Sequence, residues 1–189
     1  MRNPVGLGNA ALLIVDWQLF FVSPSSPACL KDAALAEPNV EALVNSFLEA
    51  GMPVFATRHG HARENKGPFL NFYVRLLDRD DPMAALAPFL KEREGVCTVE
   101  KQTYSAFASS RLAGEFTARG IELVVIAGLQ TDKCVLANAL AAFDLGFRVI
   151  VASDACVARE RGRHESALKI IERSCAAIAS TREICGDLP

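Results

Sequence analysis

The 189-residue chain contains no Cys-x-x-Cys pair and no repeat or low-complexity segment. It also lacks a charge-free apolar span of the roughly 18 residues that a membrane helix requires. The missing cysteine pair argues against a zinc ribbon, and the missing apolar span argues against a membrane-crossing helix. Charge of one sign is not in excess: the formal net charge is -2, which implies neither a nucleic-acid-binding surface nor a disordered charged tail. The opening Met1-Arg2-Asn3-Pro4-Val5 has no basic patch followed by a sustained apolar stretch, so no secretory leader is expected. Histidine is scarce, at three residues, which restricts any metal site.

What is present is an apolar fraction of 51% and enough length for a full core, so residues 1–189 are expected to form one domain without disulfide staples. The six cysteines, at positions 29, 97, 134, 156, 175 and 185, then fit a reduced cytoplasmic protein. Ala11–Val15 is a continuous apolar run suited to a strand buried on both faces. Asn39 offers an N-cap for a helix presenting Val40, Leu43, Val44, Phe47 and Leu48, closed by Gly51. Pro53–Thr57 reads as a second strand, completing a βαβ unit.

Residues 58–80 read as a long functional loop with a short helix near 71–77. Asp81 and Pro82 open a helix over Met83–Leu90. Further strands are expected at Val96–Val99, Ile121–Ala127, Phe147–Val151 and Ala176–Ala179, with helices at Ser109–Arg119, 132–145 and Arg161–Arg173. Strands separated by helical crossovers give an α/β fold, a three-layer α/β/α sandwich with a mostly parallel six-stranded sheet. Ligands of such sheets lie beyond the carboxyl ends of the strands, near a reversal of strand order.

Asp16, Lys101 and Cys134 all fall just past such ends. Cys134 stands in Gly128-Leu129-Gln130-Thr131-Asp132-Lys133-Cys134-Val135, where a buried strand turns into a helix whose apolar face carries Val135, Leu136, Ala139, Leu140 and Phe143. In a first helical turn, unpaired N–H groups and the positive end of the dipole favour a thiolate and any negative charge beside it. Asp16 can accept a thiol proton, and Lys101 can lower the thiol pKa and hold the carboxylate. Thr131 is a credible N-cap and Asp132 complements the dipole. Asp154 reads as a strand-to-loop hydrogen-bonding residue.

Three segments in order, Leu12-Leu13-Ile14-Val15-Asp16-Trp17-Gln18, Lys101-Gln102-Thr103-Tyr104-Ser105-Ala106-Phe107 and the Cys134 run, followed by Phe147–Ala155, resemble the isochorismatase-like cysteine hydrolases over nearly the full length. This resemblance implies a Rossmann-like fold with Asp16 as general base and later acid, Lys101 as its electrostatic partner and Cys134 as nucleophile. It also implies a non-proline cis peptide joining Leu129 to Gln130, with backbone N–H groups from Gln130 through Thr131 to Cys134 forming an oxyanion hole. The implied activity is hydrolysis of a C–N bond in a small amide, ureide or carbamoyl compound through a thioester. The implied assembly is a homodimer or homotetramer, with no cofactor and no nucleic-acid or membrane partner.

His59 and His61, with Glu64, form a weak metal-binding pattern. Nicotinamidases of the family bind a divalent ion through Asp-x-His and further histidines; here His59 stands where that aspartate would be, no ligating residue occupies the region of Gly67, and His164 is expected on a distant helix. No metal is therefore expected. Arg58 or His59 can instead contact a polar end of the substrate. Among Trp17, Phe20, Phe21, Phe69, Phe72, Tyr73 and Tyr104, the preferred pocket residue is Phe21, followed by Tyr104 and Phe69. Two other functions stay open: isochorismatase-type vinyl-ether hydrolysis, and ligand binding or protein interaction without catalysis.

Overall fold

The computed structural model describes residues 7–62 and 76–189. Its elements in chain order are β1 (Ala10–Val15), α1 (Leu19–Val22), α2 (Ala33–Glu49), β2 (Val54–His59), a 3-10 turn (Pro82–Ala84), α3 (Pro88–Lys91), β3 (Val96–Lys101), α4 (Ala106–Ser109), α5 (Leu112–Ala118), β4 (Leu123–Leu129), a π-helical turn (Thr131–Val135), α6 (Leu136–Asp144), β5 (Arg148–Val157), α7 (Arg161–Ser174), β6 (Ala177–Ala179) and α8 (Thr181–Gly186). The six strands form one sheet in the order β3-β2-β1-β4-β5-β6, and every pairing is parallel. Strand order reverses between β1 and β4, so a crevice is expected where their carboxyl ends part. No helix among the described residues is long and apolar enough to cross a membrane.

The alternation of side chains along β1 feeds two cores. Leu12 and Ile14 pack with Val40, Leu43 and Phe47 of α2, while Leu13 and Val15 pack with Leu112 and Phe116 of α5 and with Ala139 of α6. Both faces being covered, the central strands carry no polar side chain until they end. Gly128 lets β4 pass β1 closely: its φ is +123°, and a Cβ there would lie 2.2 Å from the Val15 carbonyl oxygen.

Several element boundaries depart from expectation. Asn39 does not cap α2, which begins at Ala33 and keeps Pro38 in its second turn; burial of Ala33 and Ala36 outweighs the proline signal. The Asn39 amide instead donates to the Asp154 carbonyl at 2.9 Å. The helix expected over 83–90 is broken into the 3-10 turn and α3, because Pro88 holds Ala87 in an extended conformation. The helix expected from Ser109 begins only at Leu112, as α5, and the short α4 precedes it; Ser105 caps Phe107 N, and the hydroxyl of the extended Ser110 between the two accepts from Leu112 N.

Helix 132–145 divides into the π-helical turn and α6. Its buried stripe is Val135, Asn138, Ala139 and Ala142; Leu140 and Phe143, expected on the buried face, are 38% and 50% exposed. Strand β5 runs on to Val157, so Asp154 lies within it, where its carboxylate accepts from the Thr181 N–H and hydroxyl. The possible helix near 71–77 lies almost wholly outside the described residues.

Candidate active site

Asp16 follows the last residue of β1 and takes a left-handed backbone conformation, φ +52°. That conformation is uncommon for a residue with a Cβ, and Asp and Asn tolerate it best. Thr57 on the adjacent strand fixes it twice. Its hydroxyl oxygen accepts from Asp16 N at 2.9 Å and its hydroxyl proton is donated to Asp16 Oδ1 at 2.6 Å.

Lys101, the last residue of β3 rather than one beyond it, reaches under β2 to the same carboxylate. An ammonium carries three N–H donors, and here Nζ contacts Asp16 Oδ2 at 2.7 Å, the Thr103 carbonyl at 3.0 Å and Cys134 Sγ at 3.6 Å. Asp16 and Lys101 are 1% and 2% exposed. Burial by itself would lower the Lys101 pKa, but Asp16 and the Cys134 sulfur more than reverse that, so the ammonium form is held.

The Cys134 thiol pKa is raised as well, which here holds the uncharged form. Burial and the Asp16 charge push it up, Lys101 opposes them, and a hydrogen bond links it to Asp16. The resting site is thus a neutral thiol beside a buried ion pair, and ionisation of the sulfur requires a nearby proton acceptor. Asp16 is in contact to be that acceptor.

The peptide bond between Leu129 and Gln130 is cis, as the family resemblance implies. After it, the Gln130 carbonyl accepts from both Lys133 N, at 3.0 Å, and Val135 N, at 3.1 Å, winding residues 131–135 into the wide turn that carries Cys134. Gln130, not Thr131, stands at the N-cap position. The Thr131 hydroxyl instead meets His164 Nδ1 at 2.9 Å, and Arg163 approaches the Asp132 carboxylate at 3.8 Å. His164 is therefore not distant: the start of α7 packs against the cysteine turn, and burial lowers the His164 pKa.

Above the sulfur lies a small cleft. Asp16 and Cys134 form its floor, and Phe20, Phe21, Tyr104 and Leu129 contribute apolar wall, with Gln130 and Lys133 as polar groups. His59, the last residue of β2, also faces it. Gln18, fully buried, sets that residue's backbone by accepting from His59 N at 2.9 Å and donating to His59 O at 2.8 Å. Burial first and Lys101 second lower the His59 pKa to about 4, so its ring is neutral near pH 7.

Of the other expected pocket residues, Phe69 lies outside the described residues, and Arg58 is not part of the cleft lining. Its guanidinium pairs with Glu100 on β3 at 2.6 Å and donates to the Arg79 carbonyl at 3.2 Å. The His59 and His61 rings meet edge to face at 4.8 Å. Among the described residues no three His, Cys, Asp or Glu side chains converge as a metal donor set, and Glu64 lies outside them. The two imidazoles alone fall short of a closed divalent site.

Sequence reasoning gave no role to Thr57, Gln18, His164 or Asn138. Thr57 and Gln18 sit beside assigned residues, at a strand end and after Asp16-Trp17. Nothing in the local pattern marks His164, whose partner Thr131 is 33 residues away, or Asn138, two of whose three partners lie more than 30 residues away.

The isochorismatase domain family matches residues 10–183. Nicotinamidase 3 of Arabidopsis thaliana is 32% identical over 168 residues, 84% of this chain and 78% of the relative. Maleamate amidohydrolase of Pseudomonas putida is 28% identical over 191 residues, 95% of this chain and 87% of the relative. The crystal structure of a cysteine hydrolase from Pseudomonas syringae pv. phaseolicola superposes with a TM-score of 0.92 at 21% identity, covering 99% of this chain and 95% of that one.

Proposed function

The chain belongs to the isochorismatase family, and from that premise we propose that it is a cysteine amidohydrolase that cleaves the C–N bond of a small amide, ureide or carbamoyl compound. One observation carries the reading: a single ammonium, Lys101 Nζ, contacts both the Asp16 carboxylate and the Cys134 sulfur at the floor of the cleft. Two relatives whose names denote amide hydrolysis, the nicotinamidase and the maleamate amidohydrolase, support the bond class.

Asp16 takes the thiol proton as the sulfur attacks the amide carbonyl carbon. The carbonyl oxygen becomes an oxyanion, stabilised by backbone N–H groups of the Gln130–Cys134 turn; in other hydrolases each such donor contributes about 3–4 kcal/mol. Collapse breaks the C–N bond, and the leaving nitrogen receives the proton from Asp16. Water, deprotonated by Asp16, then attacks the thioester. The C–S bond breaks, the acid leaves, and the proton returns to sulfur. Lys101 stays charged throughout and keeps the carboxylate in place as it alternates between its two forms.

The cleft suits a small, flat or partly apolar acyl group, with Phe21 and Tyr104 among its apolar lining and neutral His59 among its polar groups. Six free thiols fit a reduced cytoplasm. Exposed Leu140, Phe143, Leu145 and Ile170 fit a self-association face of a homodimer or homotetramer, which light scattering tests. Ammonia release from a panel of small amides, ureides and carbamoyl compounds, repeated with Cys134→Ala, tests the function: turnover that vanishes in the variant is expected. Hydrolysis of isochorismate that persists in the variant would instead favour vinyl-ether chemistry, and ligand binding without turnover would favour a non-catalytic role.

A further inference from the structure

Asn138 lies one turn after Cys134, in the otherwise apolar stripe of Val135, Ala139 and Ala142, and is fully buried. An aliphatic side chain would serve that stripe equally well, so the amide calls for a reason. It makes three contacts. Nδ2 donates to the Cys134 carbonyl at 2.7 Å and to the Tyr104 carbonyl at 3.1 Å, and Oδ1 accepts from Ala106 N at 2.8 Å.

The last two partners are Tyr104, in the short connection between β3 and α4, and Ala106, the first residue of α4. That connection begins at Lys101, whose ammonium is already fixed on Asp16 and Cys134, and whose contact with the Thr103 carbonyl folds the segment back over the site. The far end is tied by Asn138. Tyr104, which lines the cleft, therefore stands between two anchors, and both lead to the residue that carries the sulfur.

Resting on the cysteine-hydrolase reading, we propose that Asn138 is a positioning residue for substrate selection: it sets the Tyr104 wall at a fixed distance from the Cys134 sulfur and so determines which acyl groups fit between them. Thr at this position retains one of the three contacts, since a helical threonine hydroxyl donates to the carbonyl four residues back, here that of Cys134. It cannot reach both Tyr104 and Ala106. Asn138→Thr thus separates the wall from the nucleophile without removing the support of the cysteine turn.

The test uses saturation alkylation of Cys134, which needs no turnover, with iodoacetamide as the small probe and N-phenyl iodoacetamide as a probe whose ring reaches the wall. For Asn138→Thr, the half-saturating concentration of the phenyl probe should rise about tenfold, the order expected for loss of a polar anchor. The iodoacetamide rate should change less than about twofold. In a Tyr104→Ala background the same substitution should have no further effect on the phenyl probe, because the two residues act as one unit. Ala106→Pro, which replaces the N–H bound by Asn138 at a first helical position where proline is accepted, should give the same split and serves if Asn138→Thr does not fold. Equal effects on both probes, or additive effects of Asn138→Thr and Tyr104→Ala, would overturn the proposal. Inactivity on all amides with the split intact would defeat the hydrolase reading alone.

Discussion

The Lys101 ammonium lies 2.7 Å from the Asp16 carboxylate, and both side chains are almost wholly removed from solvent. Such a pair is a weak source of net stability, because the cost of desolvating two charges offsets most of their attraction. Its value here is positional. It presents a charged carboxylate and a fixed cation to a sulfur that burial keeps protonated.

Substituting Asp16 by Asn separates reactivity toward alkylators from catalysis. Asn tolerates the left-handed backbone at this position and keeps the side-chain shape. Removing the carboxylate charge takes away one of the causes that raise the thiol pKa while leaving Lys101, which lowers it. Alkylation of Cys134 near pH 7 should therefore become several-fold faster, whereas amide turnover should fall about 10²–10⁴-fold for loss of the proton carrier. Stopped-time alkylation and ammonia-release assays on the same preparation read both.

Lys101→Met acts in the opposite sense on the thiol. It removes the cation that opposes the upward shift, so alkylation slows, and it leaves Asp16 buried without its partner. Urea denaturation should show a loss of about 3–5 kcal/mol. A loss below about 1 kcal/mol would mean that water replaces the ammonium.

Much of this was legible in the sequence because the site sits where regular patterns stop. The apolar runs ending at Asp16 and Leu129 announce buried strands, and in a parallel sheet their carboxyl ends meet at the strand-order reversal. Lys101 belongs to β3 itself because β2 and β3 continue pairing through Arg58–Glu100 and His59–Lys101, where side-chain polarity gives no strand signal but the backbone ladder persists. That extension is also why Arg58 pairs with Glu100 across two strands. Asn39 and Thr131 look like caps by residue type alone; tertiary partners, Asp154 for one and His164 for the other, take their hydrogen bonds. Contacts between distant segments leave no periodic trace.

Gly128→Ala tests the close passage of β4 over β1. The added methyl would meet the Val15 backbone and the residue would hold a φ of +123°, so strain and overpacking together should cost roughly 2–6 kcal/mol. Because Val15 precedes Asp16, activity per folded molecule should drop as well; denaturation curves and active-site titration measure the two separately.

Stability should depend on pH through His59. Its folded pKa of about 4 lies below the ordinary value of 6.5, so between those limits the unfolded chain binds a proton that the folded chain does not. Stability then rises with pH across that window, is fully present above about 6.5, and is lost by about 3 kcal/mol on acidification below about 4. His59→Gln should flatten this part of the curve in pH-dependent chemical denaturation. An unchanged slope in the variant would assign the acid sensitivity to other groups.

Intact-protein mass spectrometry of an acid-quenched reaction with a turned-over amide tests for the covalent intermediate on Cys134. The expected result is a mass increase equal to the acyl group, removed by hydroxylamine, mapped to the peptide containing Cys134 and absent from Cys134→Ala. Full amide turnover by Cys134→Ala, or an acyl adduct on another residue, would contradict it.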